Sequence, residues 1–423
     1  MNNRRGDEKQ NHFTFLDLFC GAGGLTQGFE KGGFHCLGAA DLDKAAIETH
    51  CKNFSAPAWR LDLSNTSSLQ LPQTDVVIGG APCQGFSSAG MRQISDERND
   101  LVAQFARIVS ELRPRTFVFE NVESFLTAGN GHYVFALLRP LIACGYRIHA
   151  RKVNAANYGV PQHRKRVIMI GGLGWEPSFP NATHTAFGAP GAALGGHSLP
   201  LTPTVFQALE GLPAATLDAP GTLQGHFCRP LQETELARAT ALLPGQSMRD
   251  LPQNLQHESF TRRAYRRVVD GTPTERRGGP PTGVRRLRAD EPSKAITGGA
   301  RAEFLHPYEH RPLTLRECAR LQTFPDNFTF CGTASQQSQL IGNAVPPLFA
   351  QVIAESIRSD LELSHSEIEC QDIATGQLLS FVPTLSQGTS PALKNVIEAV
   401  RSEFGILDGM SPQAVTKELT LWR

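Results

Sequence analysis

The chain has almost no net charge: 41 lysines and arginines face 40 aspartates and glutamates, leaving +1 over 423 residues. A surface coated in one sign is thereby excluded, although positive charge can still be gathered into one segment. No apolar run approaches the ~20 residues of a membrane span, so no membrane is expected as a partner. The nine cysteines are scattered and none forms a CxxC pair. With no signal-peptide pattern ahead of them, this predicts reduced thiols in the cytoplasm rather than a disulfide framework. There is no internal repeat, which excludes solenoids, and no cluster with metal-ligand spacing, so no metal is expected. What remains is ordinary globular composition, 40% hydrophobic and 19% charged, in a chain long enough for two domains.

The first eleven residues are polar and unpatterned, and residues 1–12 read as a disordered lead-in. Strand-like runs then alternate with helical ones. FTFLDLF (13–19), HCLGAAD (35–41), TDVVIGGAP (74–82), RTFVFENV (115–122) and RVIMIGG (166–172) predict buried strands. LTQGFEKGG, DKAAIETHCKNF and LVAQFARIVSEL predict the helices between them. Such alternation predicts an α/β fold with a parallel sheet wrapped on both faces over residues 13–173. It stops near Gly172, and residues 174–300 are rich in Pro, Gly and Thr, which predicts a second, smaller domain. Helical periodicity returns over 301–360, with IGNAVPPLFAQVIAESI (341–357) as an apolar helix behind a Gly-Asn turn. Residues 361–423 contain one amphipathic helix, SPALKNVIEAVRSEF, and carry no assigned chemistry.

Four constellations carry candidate chemistry. DLFCGAGG (17–24) runs a strand into a glycine turn and a helix, which lets a ligand approach backbone amides at Gly21 and Gly23. A purely structural turn explains it equally well. Asp41 ends the next strand, where an acid can hold ribose hydroxyls. Asp62 could accept from an adenine amino group, and Phe19 could pack on that ring. These features suit a nucleoside-bearing cofactor without separating NAD from S-adenosylmethionine. GGAPCQGFSSAG (79–90) places Cys83 just past a central strand, behind the stiffening Pro82 and ahead of small polar residues, unlike a packed core. Glu120 ends a hydrophobic strand; it is either a solvent-facing strand end or a carboxyl that presents a proton to a ring nitrogen. QHRKRV (162–167) alternates Arg164 and Arg166, which should point to one face.

In their order and spacing these motifs resemble the DNA cytosine-5-methyltransferase family over roughly residues 13–360. DLFCGAGG is similar to the family's cofactor motif, GGAPCQGFS to its Pro-Cys motif, ENV (120–122) to its glutamate motif and QHRKR to its arginine motif. RECARLQTFPDNF (316–328) and GNAVPP (342–347) resemble its two late motifs.

The resemblance implies a Rossmann-like S-adenosylmethionine-dependent methyltransferase sheet, with S-adenosyl-L-methionine held by Phe19, Gly21, Gly23, Asp41, Asp62, Pro82 and Asn343. It implies double-stranded DNA as substrate, Cys83 as nucleophile on C6 of a flipped cytosine, Glu120 at N3, and Arg164 at O2 with Arg166 in support. Residues 87–101 match the family's mobile loop, with Gln84, Ser87 and Arg98 as DNA contacts. Residues 174–300 become the target-recognition domain. Its stretch 260–288 holds nine arginines against Asp270 and Glu275, so Arg262, Arg263, Arg266, Arg267, Arg285 and Arg286, with Thr297 of AITGG, are expected on DNA. A monomer is expected, at the nucleoid when it acts, paired functionally with a restriction endonuclease. A transfer-RNA methyltransferase of the same fold, a catalytically dead DNA-binding protein and an NAD-dependent dehydrogenase are the alternatives. The dehydrogenase leaves Pro-Cys and QHRKR without a purpose.

Overall fold

The computed structural model describes residues 13–64, 71–82, 101–186, 199–217, 221–258, 260, 283–364, 375–384 and 389–406. The catalytic half is built from β1 (Thr14–Leu18), α1 (Gly24–Lys31), β2 (His35–Asp41), α2 (Lys44–Asn53), β3 (Ala58–Arg60), β4 (Val76–Gly79), α3 (Leu101–Leu112), β5 (Thr116–Val122), α4 (His132–Ala143), β6 (Tyr146–Asn154), β7 (Gln162–His163) and β8 (Lys165–Leu173). Seven of these strands and a late one, Gln377–Val382, form an eight-stranded sheet in the order Gln377–Val382, β6, β8, β5, β4, β1, β2, β3. Neighbours run parallel except β8, which is antiparallel to both β5 and β6. The expectation of a purely parallel sheet is corrected here: an apolar run reports burial on both faces but not the direction of the strand.

Side chains alternate across this sheet with period two, and each face has its own core. Leu16, Leu18, Val77, Phe117 and Phe119 face α3 and α4. Phe15, Val76, Ile78, Val118 and Ile168 face α1 and the long helix Pro347–Ser364. Close approach sets α1 against that helix. A Cβ on Gly24 would lie 2.1 Å from the Val345 carbonyl oxygen, and one on Gly28 2.3 Å from Ala350 Cβ. The helix behind the Gly-Asn turn starts at Pro347; Gly342 and Asn343 end the preceding helix, Ala334–Asn343. Together, Ala334–Leu363 is long and apolar enough to cross a membrane, contrary to the expectation of no such run. Yet 67% of its most apolar window is buried in the protein, as in a core helix.

The region after Leu173 has short helices and two-residue strands. One of its cores gathers Val205, Leu287, Ile296, Leu313, Phe324 and Ile341 around Ala22, Ala45 and Phe54 of the catalytic half. A smaller one holds Ala239, Leu242, Met248, Leu251, Phe260 and Leu305. Packing thus joins much of 301–344 both to residues 205–296 and to α2 and the turn before α1 in the sheet-bearing half.

Candidate active site

The carboxyl ends of β1, β2, β4 and β5 lie along one rim of the sheet, where open α/β folds bind their ligands. At β1 the chain turns sharply. Phe19 is held at φ 58° and Gly21 at φ 53°; a left-handed phenylalanine is a costly conformation that persists where the surroundings impose it. The Gly21 amide donates to Asp41 Oδ2 at 2.9 Å, and the Asp43 amide donates to Asp41 Oδ1 at 2.8 Å. Burial pushes the Asp41 carboxyl above its usual range, against those two bonds.

The two glycines serve different ends. A side chain on Gly21 would meet no atom within 4 Å, so space for a ligand opens there; one on Gly23 would lie 2.4 Å from the Phe54 ring. Gly21 is therefore the approach point and Gly23 a packing residue. Asp62 is solvent-exposed and accepts from the Ser64 hydroxyl at 2.6 Å and its amide at 3.0 Å. Those bonds hold its carboxyl below the usual range. The Leu61 amide donates to the Asp41 carbonyl, which sets β3's end beside β2's. Leu42, an apolar side chain 58% exposed beside Asp41, was not picked out by sequence.

Beneath the turn lies a buried polar chain. Thr26 Oγ1 donates to Asp17 Oδ2 at 2.6 Å, and His50 Nε2 lies 3.3 Å from the same hydroxyl. Asp17 Oδ1 and His50 Nδ1 are buried without a hydrogen bond. Burial raises Asp17 to about 7 and lowers His50 to about 4.

At β4 and β5 a second cluster forms. Glu120 is 7% exposed, and Arg166 Nε lies 2.7 Å from its Oε1. The pairing register explains the contact: Arg166 sits opposite Val122, so Glu120 is its diagonal neighbour on the same face. That oxygen accepts no well-directed hydrogen bond, so it can still accept one from another donor. Gly80 makes room, since a Cβ there would lie 2.9 Å from Glu120 Oε2. Asn121 Nδ2 donates to the Ala81 carbonyl at 3.2 Å, tying the strand that carries Glu120 to the segment that leads through half-buried Pro82 to Cys83. Gly80 and Asn121 escaped the sequence reading, although Asn121 is part of ENV itself. Cys83, Gln84, Ser87, Arg98, Arg262, Arg263, Arg266 and Arg267 lie outside the described residues.

Two expected roles are corrected. Arg164 is fully buried and donates through its two terminal nitrogens to the carbonyls of Ile296 at 2.8 Å and Gly342 at 2.9 Å. It precedes β8, in a tight turn where its amide donates to the Gln162 carbonyl, so strand alternation does not apply and it does not share a face with Arg166. It clamps AITGG to GNAVPP, beside Gln162, which donates to the Leu321 carbonyl and accepts from the Ile296 amide. The arginine at the glutamate is Arg166. Arg286 is 2% exposed and donates to the carbonyls of Ala239, Leu242, His306 and Glu309, with Nη2 also 3.0 Å from His310 Nδ1; all five of its N–H donors have a partner within the fold. Arg285, its half-buried neighbour, alternates to the other side. Thr297 and Asn343 are exposed, and their backbones meet where Gly342 packs on Thr297.

The chain is similar to known proteins over most of its length. The family description "C-5 cytosine-specific DNA methylase" matches residues 13–359. Type II methyltransferase M1.HphI of Haemophilus parahaemolyticus is 34% identical over 81% of this chain and 86% of its own length. Type II methyltransferase M.AgeI of Thalassovita gelatinovora is 31% identical over 81% of this chain and 98% of its own. Among solved structures, a prophage-encoded E. coli protein described as a DNA modification methyltransferase superposes with a TM-score of 0.62 at 25% identity, over 83% of this chain and 99% of its own.

Proposed function

This chain belongs to the C-5 cytosine-specific DNA methylase family, and on that footing we propose that it methylates cytosine in double-stranded DNA through covalent catalysis by Cys83 on a base flipped out of the helix. The observation that carries the proposal is the Glu120–Arg166 pair, set at a strand end whose next residue, Asn121, holds the segment leading to Cys83.

C5 of cytosine is a poor nucleophile. Addition of the Cys83 thiolate to C6 turns the ring into an enamine whose C5 can attack a methyl group. Glu120 supplies the proton that quenches charge at N3, and Arg166 binds the O2 carbonyl on the same side of the ring. After transfer the C5 proton leaves and Cys83 is expelled. These atoms are inaccessible in a duplex, so the base must leave the stack.

Family membership implies S-adenosylmethionine as methyl donor. The residues present fit it: open space at Gly21, the twice-bonded Asp41 carboxylate for ribose hydroxyls, and Phe19, Leu42 and Asp62 around the adenine position. When bound, it supplies the electrophilic methyl group. Arg285 and Thr297, with the arginines between 262 and 277, remain the candidates for DNA contact. The Type II designation of the relatives supports a role in a bacterial restriction–modification pair, protecting DNA from a cognate endonuclease.

A duplex with 5-fluorocytosine at the target tests the chemistry, because fluorine cannot leave C5 as a cation and the covalent intermediate is trapped. Wild-type protein with S-adenosylmethionine should give an adduct stable on denaturing gels. Cys83→Ala should give none, and Glu120→Gln and Arg166→Ala should form it slowly. An adduct that persists in Cys83→Ala sinks the mechanism.

A further inference from the structure

The family match ends at residue 359, and the E. coli neighbour is covered almost completely while 17% of this chain is left over. Residues 375–384 and 389–406 nevertheless pack on the half that carries the sheet. The strand Gln377–Val382 pairs in parallel with β6, from Gln377 opposite Arg147 to Val382 opposite Arg151. Its Ser380 is 2% exposed; the hydroxyl lies 2.7 Å from His149 Nδ1 and accepts from Arg151 Nε at 3.1 Å. Gly376 packs so tightly on the end of α4 that a Cβ would lie 1.9 Å from the Ile142 carbonyl oxygen.

The helix Pro391–Phe404 closes the other side. Val396 and Val400 enter the core shared with Phe119 and Phe125, and Glu403 takes a two-pronged contact from Arg139 of α4 at 2.6 and 2.8 Å.

Both contacts converge on the segment that follows Glu120. Directly after β5 come two short 3-10 turns, Glu123–Leu126 and Ala128–Gly131. The second holds three successive residues at positive φ: Gly129 at 53°, Asn130 at 54° and Gly131 at 88°. Glycine and asparagine adopt this left-handed conformation readily, and Val396 is packed against the turn they make: a Cβ on Gly131 would lie 3.0 and 3.1 Å from the two γ carbons of Val396. The first turn is tied to β6 by an ion pair between Glu123 and Lys152, whose side chain is 8% exposed. One residue further along β6, Val153 sits opposite Arg166. The late strand therefore supports the strand beside Arg166, and the late helix supports the turn after Glu120.

We propose that residues 375–406 are a positioning element, acting through Val396 and Ser380 to hold Glu120 and Arg166 in register for the base. This rests on the roles given to that pair above. The cofactor end, β1 to β3, lies toward the opposite edge of the sheet and should not feel it. A misplacement of about 1 Å at a reacting group can cost up to ~100-fold in rate.

Val396→Ala, Val396→Ile and Ser380→Ala, made in the full chain, separate this from a merely structural role. Each is compared with wild type well below its melting midpoint. Val396→Ala and Ser380→Ala should lower kcat and the rate of 5-fluorocytosine adduct formation by roughly 10-fold or more. Cofactor affinity by calorimetry should stay within about two-fold, because the sites are remote. Val396→Ile, which keeps both γ carbons, should restore the rate. Should Val396→Ala fail to fold, Ser380→Ala, which loses a single hydroxyl, decides alone. A lowered melting midpoint with unchanged kcat overturns the proposal, as does a parallel loss of cofactor affinity. A wild-type chain that forms no adduct refutes the catalytic reading instead.

Discussion

In the central sheet, Val76–Gly79 and Thr116–Phe119 pair with neighbouring strands on both sides, and residues 120–122 pair with β8. Between residues 205 and 344 the short helices, strands and turns leave many carbonyls without such a ladder, and guanidinium groups take them. Arg286 binds four, Arg316 binds those of Gln224, Pro325 and Phe328, and Arg320 those of Ala208 and Glu210. Buried carbonyls must find donors wherever the fold is irregular, and arginine's forked donors serve several at once. In this region several arginines are thus used to hold the fold rather than placed on the surface.

The sharpest way to break that contrast is Arg286→Ala. It strands four carbonyls, at ~1–3 kcal/mol for each unsatisfied group; the loss should reach about 5 kcal/mol, comparable with the whole stability of many domains. Urea melts should show a chain largely unfolded at 25 °C. A folded variant with weakened DNA binding would instead return Arg286 to the DNA surface.

The sheet has its own exception in Asp17, whose Oδ1 no group meets. Burial raises it to about 7, against ~3.9 in an unfolded chain. Between those values the folded protein holds a proton that the unfolded one has released, so stability falls as pH rises from about 4 to 7 and then levels. Asp17→Asn should remove this slope, worth at most about 4 kcal/mol above pH 7. Equal slopes for both proteins in urea melts from pH 5 to 8 would show that another group supplies the missing bond.

The smallest effect is expected at Arg288, an exposed residue paired with Asp290 at 2.7 Å. Solvent-exposed pairs contribute little, so Arg288→Ala should leave the melting midpoint unchanged. A clear fall would mean that even the outer arginines of this region carry the fold.

The same contrast decides what could be read in advance. β1, β2, β4 and β5 were legible because each is a short, mostly apolar run, and the candidate residues lie at or near the carboxyl ends of these runs. β6 was not: YRIHARKVN carries three cations and a histidine. Their partners, Ser380, Glu123 and Glu176, come from other parts of the chain. Arg164 and Arg166 were legible as a pair but not in their roles, since the strand begins between them, at Lys165. Arg286 could not be told from Arg285 by composition, because its acceptors lie up to 47 residues away in sequence.

The late strand also sets the order of assembly. His149 and its partner Ser380 are separated by 231 residues, which a ribosome working at about 5–20 residues per second takes roughly 10–50 s to cover. During that interval β6 has emerged with one edge open, the kind of unpaired edge that invites pairing with another chain. Every newborn copy thus passes through a stage in which residues 174–364 have been made while that edge of β6 still lacks its partner strand.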